Sequence, residues 1–177
     1  GLVRTMTATI LTTKLYIPPH RPNFVSRRHL IEQLNTALAI KLILVSAPAG
    51  FGKSTLLASW VRNLGVTRVA WLTMDERDNN FVRFLTYLVA SLQTIDDQIG
   101  RGVYAALQSP GMPNTEIILT TLLNEITEYT DEIVLILDDY HVIEDKSIGQ
   151  ALAFFLDYLP PNLHLIISTR IDPPLPI

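Results

Sequence analysis

An α/β fold with a parallel sheet is what the sequence predicts, on three observations. Four short apolar runs, near residues 41–46, 69–73, 133–137 and 163–168, alternate with stretches whose apolar residues recur at helical spacing. The runs are continuously apolar, as strands covered on both faces are. The first run passes at once into a glycine-bearing turn and then into another helical pattern.

The elements follow in chain order. Prolines 18, 19 and 22 exclude helix over residues 12–24 and predict an extended lead-in, so residues 1–24 read as an arm and 25–177 as the folded domain. Ser26 is placed to cap a helix with Leu30, Ile31, Leu34 and Leu38 on one face. After the strand at 41–46, Leu56, Leu57, Trp60, Val61 and Leu64 repeat at helical spacing until Gly65. The strand at 69–73 ends in a polar segment, 75–80, in which the acids are expected to cap a helix starting at Asn79 and burying Phe81, Phe84, Leu85 and Leu88. Helices are expected over 96–107 and 115–129, separated by the proline turn at 109–113. The strand at 133–137 ends in Asp138-Asp139, and a helix over 147–159 stops at Pro160-Pro161 before the last strand.

Composition narrows the function. At 48% hydrophobic and 18% charged the chain of 177 residues has the make-up of a folded domain, not of a disordered tail. No apolar stretch approaches the roughly 18 residues of a membrane span, and no secretory leader pattern is visible. The absence of cysteine excludes thiolate metal sites and fits a reducing, cytoplasmic compartment, and the four histidines show no metal-ligand spacing. Net charge is −3, but residues 1–77 carry ten Lys/Arg against three Asp/Glu and residues 78–177 carry four against fourteen. A basic half suits a polyphosphate and an acidic half can supply metal ligands. Neither half carries a recognition-helix pattern for DNA.

The turn after the first strand, Ala47-Pro48-Ala49-Gly50-Phe51-Gly52-Lys53-Ser54-Thr55, matches the phosphate-binding P-loop with alanine in place of the first glycine. Inward-pointing backbone N–H groups cradle phosphate oxygens, which asks for small residues and the dihedral freedom of Gly50 and Gly52. Lys53 brings a cation to the β- and γ-phosphates, Ser54 a hydroxyl for Mg²⁺, and Thr55 a contact to the α-phosphate, all at the positive end of a helix. A P-loop needs a second metal anchor at the end of another strand. Asp138 is placed to hold Mg²⁺ through water, and Asp139 to orient or deprotonate the attacking water. A cap or turn is the plainer reading of that acid pair taken alone. If the strand at 133–137 is not adjacent to the P-loop strand, the one at 163–168 lies between them, and Arg170 or the hydroxyls beside it face the γ-phosphate. The competing reading of Arg170 is an ordinary solvated arginine.

The ordered set TKLYIPPHRPNFVSRRHLIEQL, SAPAGFGKSTLLASW, VAWLTMDERDNN, LILDDYH and ISTRIDPPLP resembles the nucleotide-binding domain of large ATP-binding LuxR-type transcription regulators, the group that includes the maltose-regulon activator. These belong to the signal-transduction ATPases with numerous domains (STAND), relatives of AAA+ ATPases, so the resemblance implies a three-layer P-loop NTPase fold. It spans residues 11–176, and the arm, the DERDN segment and the STR segment make it specific. It implies an adenine pocket around Phe24, Val25 and Arg27, ATP with Mg²⁺ as ligand, and slow hydrolysis that resets a self-associating, transcription-active state. In such regulators DNA is bound by a C-terminal domain. A fifth strand and that domain are not in this sequence, which the resemblance reads as a fragment whose P-loop strand is an exposed edge open to self-association. Two other readings stay open: a free-standing P-loop kinase or NTPase of small-molecule metabolism, against which the scarcity of arginine after residue 77 counts, and a nucleotide-binding interaction module without turnover.

Overall fold

The computed structural model describes residues 10–18, 42–47, 53–63, 68–111 and 114–170. The helix expected after Ser26, the loop 48–52, the stop at Gly65 and residues 171–177 lie outside them. Four strands, β1 (Leu42–Ala47), β2 (Val69–Thr73), β3 (Ile133–Asp138) and β4 (Leu163–Arg170), form a parallel sheet in the order β1-β4-β3-β2. The last strand therefore lies between the first and the third, pairing Leu42 with Leu165 on one side and Ile133 with Leu163 on the other. Among the described residues β1 and β2 are the two edges.

Side chains alternate across the strands, so the continuous apolar runs feed two separate cores. Trp71, Val134, Ile136 and Ile166 face one way and meet Leu57, Ala58, Trp60 and Val61 of helix α1 (Lys53–Asn63). Ala70, Leu72, Leu135, Leu137, Leu165 and Ile167 face the other way. They are covered by α2 (Phe81–Gln93), α3 (Arg101–Gln108), α4 (Thr115–Glu128) and α5 (Lys146–Asp157). Every residue of β3 is buried. The result is a three-layer α/β fold of the P-loop type, in which strand β1 is followed in the chain by helix α1.

Local chemistry sets the element boundaries and corrects several expectations. Asn80 caps α2, accepting from the Arg83 N–H at 3.0 Å. The acids before it instead close a 3₁₀ turn at Glu76–Asp78, where Asp75 accepts from Arg77 N and Asp78 from Asp75 N, each at 2.8 Å. The helix expected from residue 96 begins only at Arg101. Asp96 accepts from Gln98 N at 2.9 Å and holds a turn there, and Gly100 enters the helix at φ +86°, where a Cβ would meet Val89 Cγ1 at 2.2 Å. Asp145 caps α5, which ends at Asp157 rather than 159.

The leading segment departs from the fully extended form expected of it. A 3₁₀ turn occupies Thr12–Leu15, upstream of the first proline, with the backbone extended at Leu11 before it and at Tyr16 after it. It crosses the β2 edge: Ile10 and Leu15 pack on one core and Ile17 on the other. Such cover blunts an edge otherwise open to pairing. Four contacts fasten it. Leu11 N donates to the Tyr87 hydroxyl at 3.0 Å, Arg62 of α1 donates to the Pro18 carbonyl, and buried Lys14 reaches Asp75 at 2.9 Å and Asp78.

Burial pushes the Asp75 carboxyl up, but the hydrogen bonds from Lys14 and Arg77 and their charges outweigh it. The group titrates below its ordinary value of 3.8. A depressed acid adds stability above its unfolded value and loses it as the pH falls through the folded one. The difference in urea midpoint between the parent chain and Asp75→Asn is therefore expected at neutral pH and should shrink once the pH falls below 3.8. A difference that persists unchanged into acid would show that the charge on Asp75 does not carry it.

Candidate functional site

The C-terminal ends of the parallel strands bring the separated motifs together. The connection leaving β1 runs over one face of the sheet as α1, and that leaving β3 over the other as α5. The ends of β1, β4 and β3 thus bound the crevice in which open α/β sheets hold ligands. Ala47 ends β1 beside Arg170 of β4. Lys53, Ser54 and Thr55 form the first turn of α1, whose unpaired backbone N–H groups carry partial positive charge.

Asp138 is the centre of this edge. Only 2% exposed, it accepts from Ser54 Oγ at 2.7 Å on one carboxylate oxygen and, on the other, from Ser168 Oγ and from Asp139 N at 3.1 Å. Its carbonyl accepts from Met74 N at 2.9 Å, which locks the β2 end to it. A buried carboxylate is tolerable only when its lone pairs are engaged, and here they are. Asp139 follows at φ 58°, ψ 37°, a left-handed conformation that aspartate adopts more readily than most residues. That bend turns the chain sharply out of the strand into a 3₁₀ turn at Tyr140–Val142. His141 Nδ1 there accepts from Arg170 N at 3.1 Å. Burial pushes the half-buried Tyr140 phenol up, so it stays protonated beside the acids.

Of the residues singled out from sequence, Ala47, Lys53, Ser54, Thr55, Asp138, Asp139 and Arg170 gather at this edge. Pro48, Ala49, Gly50, Phe51, Gly52, Val25 and Arg27 lie outside the described residues. Two participants were not singled out. Ser168 was legible only as one of the hydroxyls beside Arg170, and what it holds is the acid of the next strand. His141 lay in plain view in LILDDYH with no signal of the backbone N–H it accepts.

Ser54 and Asp138 present only oxygen, the donor type that suits Mg²⁺, and their oxygens already stand 2.7 Å apart. Among the described residues no group of three or more His, Asp or Glu could hold a metal alone. A separate groove of 480 Å³ between α4 and α5, lined by Glu116, Leu119, Gln150 and Phe154, has none of these groups.

No family model matches the chain. It is 34% identical over 168 residues to the HTH-type transcriptional regulator MalT of Yersinia pestis (strain Pestoides F), and equally so to MalT of Yersinia pseudotuberculosis serotype O:1b and of Yersinia enterocolitica serotype O:8. The match takes in 95% of this chain and 18% of each regulator, so the chain spans less than a fifth of the length of these curated relatives. Among solved structures it is similar to Caenorhabditis elegans PCH-2, with TM-score 0.43 and 14% identity over 84% of this chain and 35% of that one. It is also similar to a chain of the Drosophila ORC bound to DNA, with TM-score 0.49 and 18% identity over 81% of this chain and 75% of that one. At such scores neither likeness bears on function. No helix among the described residues is long and apolar enough to cross a membrane.

Proposed function

From its homology to a segment of MalT-type transcriptional regulators, we propose that this chain is a nucleotide-binding switch domain of a signal-responsive regulator, taking ATP with Mg²⁺ and hydrolysing it slowly. The observation that carries the reading is the 2.7 Å bond from Ser54 Oγ to Asp138 Oδ2, which joins the start of the P-loop helix to the acid that ends a different strand.

Each group then has a defined task. The backbone N–H groups at the start of α1 and across 48–52 hold the phosphates, and Lys53 neutralises charge between the β- and γ-positions. Ser54 and, through water, Asp138 hold the cation. Mg²⁺, when bound, supplies charge neutralisation across the phosphate oxygens. Asp139, which follows Asp138 in a left-handed backbone conformation, orients or takes a proton from the attacking water. Arg170 at the end of the middle strand senses the γ-phosphate, and Val25 and Arg27 contribute to the adenine pocket. Differential contacts of these groups with ATP and ADP are what a switch requires. Self-association belongs to the intact regulator, and DNA contact to regions outside this chain.

The test is titration of a fluorescent ATP analogue into the chain and into Lys53→Ala, with and without Mg²⁺, followed by competition with ADP and GTP. Binding that is adenine-selective, strengthened by Mg²⁺ and abolished by Lys53→Ala is expected. Binding unaffected by Lys53→Ala, or none by the parent chain, would overturn the reading.

A further inference from the structure

The segment between β2 and α2 is bolted to the acid edge at both of its ends. Met74 N donates to the Asp138 carbonyl at 2.9 Å. Five residues on, the Asn79 amide donates to the Val142 carbonyl at 2.8 Å and accepts from Glu144 N at 2.6 Å and Asp145 N at 3.1 Å. One side chain thus holds the loop that begins at Asp139. Between these bolts lies Asp78, 1% exposed, whose carboxylate is met by Lys14 from the leading segment and by Arg83 of α2 at 3.1 Å. Lys14 itself is 7% exposed, bonds Asp75 at 2.9 Å, and stands 4.5 Å from the centre of the Tyr87 ring, with Arg83 5.2 Å from the same ring. The hydroxyl of Tyr87 accepts from Leu11 N. Lys14 is thus the cation that the leading segment lends to a buried acidic turn 61 to 64 residues away.

We infer that Lys14 is a positioning residue for the Asp138–Asp139 edge: seated, it holds the 74–79 bridge rigid and with it the loop 139–145; withdrawn, it loosens both. A buried carboxylate that loses one of its two cations, keeping only Arg83, is destabilised, and the nearest structure able to yield is the short turn that carries it. The leading segment thereby becomes a strap whose docking at one edge of the sheet sets the order of the acid loop at the strand ends. The consequence for ligand affinity rests on the nucleotide reading above, whereas the coupling between strap and loop does not.

Hydrogen exchange of the nucleotide-free chain, read by mass spectrometry, tests it. In Lys14→Met, exchange is expected to rise at least about tenfold in both 10–18 and 139–145 while α4 is unchanged, and Lys14→Arg should restore protection at 139–145. Asn79→Ala cuts only the second half of the bridge and should loosen 139–145 while 10–18 stays protected. Should Lys14→Met fail to fold, Lys14→Gln, which drops the charge but keeps a polar end for the buried acids, carries the same expectation for 10–18 and 139–145. Unchanged exchange at 139–145 in the Lys14 variants overturns the coupling. The same proteins are then titrated with the ATP analogue. A several-fold loss of affinity in Lys14→Met, reversed in Lys14→Arg, supports the positioning role, and equal affinity with a loosened loop overturns it. A parent chain that binds no nucleotide but shows the coupled exchange defeats the nucleotide reading and leaves the coupling standing.

Discussion

Replacing Asp138 by asparagine is expected to reduce Mg²⁺-dependent ATP turnover by at least about 10²-fold while leaving the melting temperature within a few degrees of the parent. The two effects separate because the proposed function gives the carboxylate two tasks of different cost. Toward the protein it accepts bonds from two hydroxyls, Ser54 and Ser168, and from one backbone N–H. A hydroxyl can rotate to accept as well as donate, so a neutral amide of the same shape keeps most of these bonds and sheds the cost of burying a charge. Toward the cation and phosphates of the proposed site, a neutral amide supplies none of the charge. Metal-borne stabilisation of developing charge amounts to several kcal/mol, and each 1.36 kcal/mol is a factor of ten in rate. Single-turnover hydrolysis at saturating Mg²⁺, set beside calorimetric melting, reads both. Turnover within threefold of the parent would remove Asp138 from the chemistry, and a collapse in melting temperature would make it a structural acid.

The largest effect on stability is expected at Trp71. Its side chain is 1% exposed and lies in the smaller core among Leu57, Trp60, Val61, Val134, Ile136 and Ile166, with its indole N–H donating to Thr73 Oγ1 at 3.0 Å. Truncation of a buried tryptophan to alanine costs about 3–5 kcal/mol, against a total stability on the order of 5–15 kcal/mol. For a chain of this size that is a fall of roughly 10 °C or more in melting temperature. Trp71→Phe keeps the ring volume in part and should fall between the two. Urea unfolding followed by Trp60 fluorescence gives the comparison. A Trp71→Ala midpoint within error of the parent would mean that this face of the sheet contributes little to cooperative folding.

The sheet was legible because its strands are covered on both faces and therefore read as apolar runs. β2 matches its expected limits, residues 69–73, whereas β1, β3 and β4 run on into Ala47, Asp138 and Arg170. Ladder hydrogen bonds are indifferent to side-chain polarity, and the residues that extend those strands past their apolar runs are the ones that bear on the site. Reading Arg170 as the end of a strand placed between β1 and β3 agrees with the observed order. What failed was local: the start of α3, moved by an aspartate turn and a left-handed glycine, and the owner of the α2 cap. What no pattern could reveal was long-range. Lys14 and Asp78 are 64 positions apart, Ser168 and Asp138 are 30 apart, and neither pair leaves a periodic trace in the chain. The motif residues 48–52 and the adenine contacts expected at Val25 and Arg27 lie outside the described residues.

Helix α1 has two duties: it offers Ser54 to the crevice and, with Leu57, Trp60 and Val61, closes the smaller core. Folding of that face and occupancy of the crevice are consequently one linked equilibrium. On the proposed reading, any fluctuation that lifts α1 from the sheet empties the site, and an anion seated at its first turn is held only by the closed form. By mass action a ligand at a hundred times its dissociation constant deepens that closed state by about 2.7 kcal/mol. On that reading the amides of residues 57–61 become an internal gauge of ligand binding, slowing further as ligand rises above its dissociation constant, while the α4 amides on the opposite face report only global unfolding.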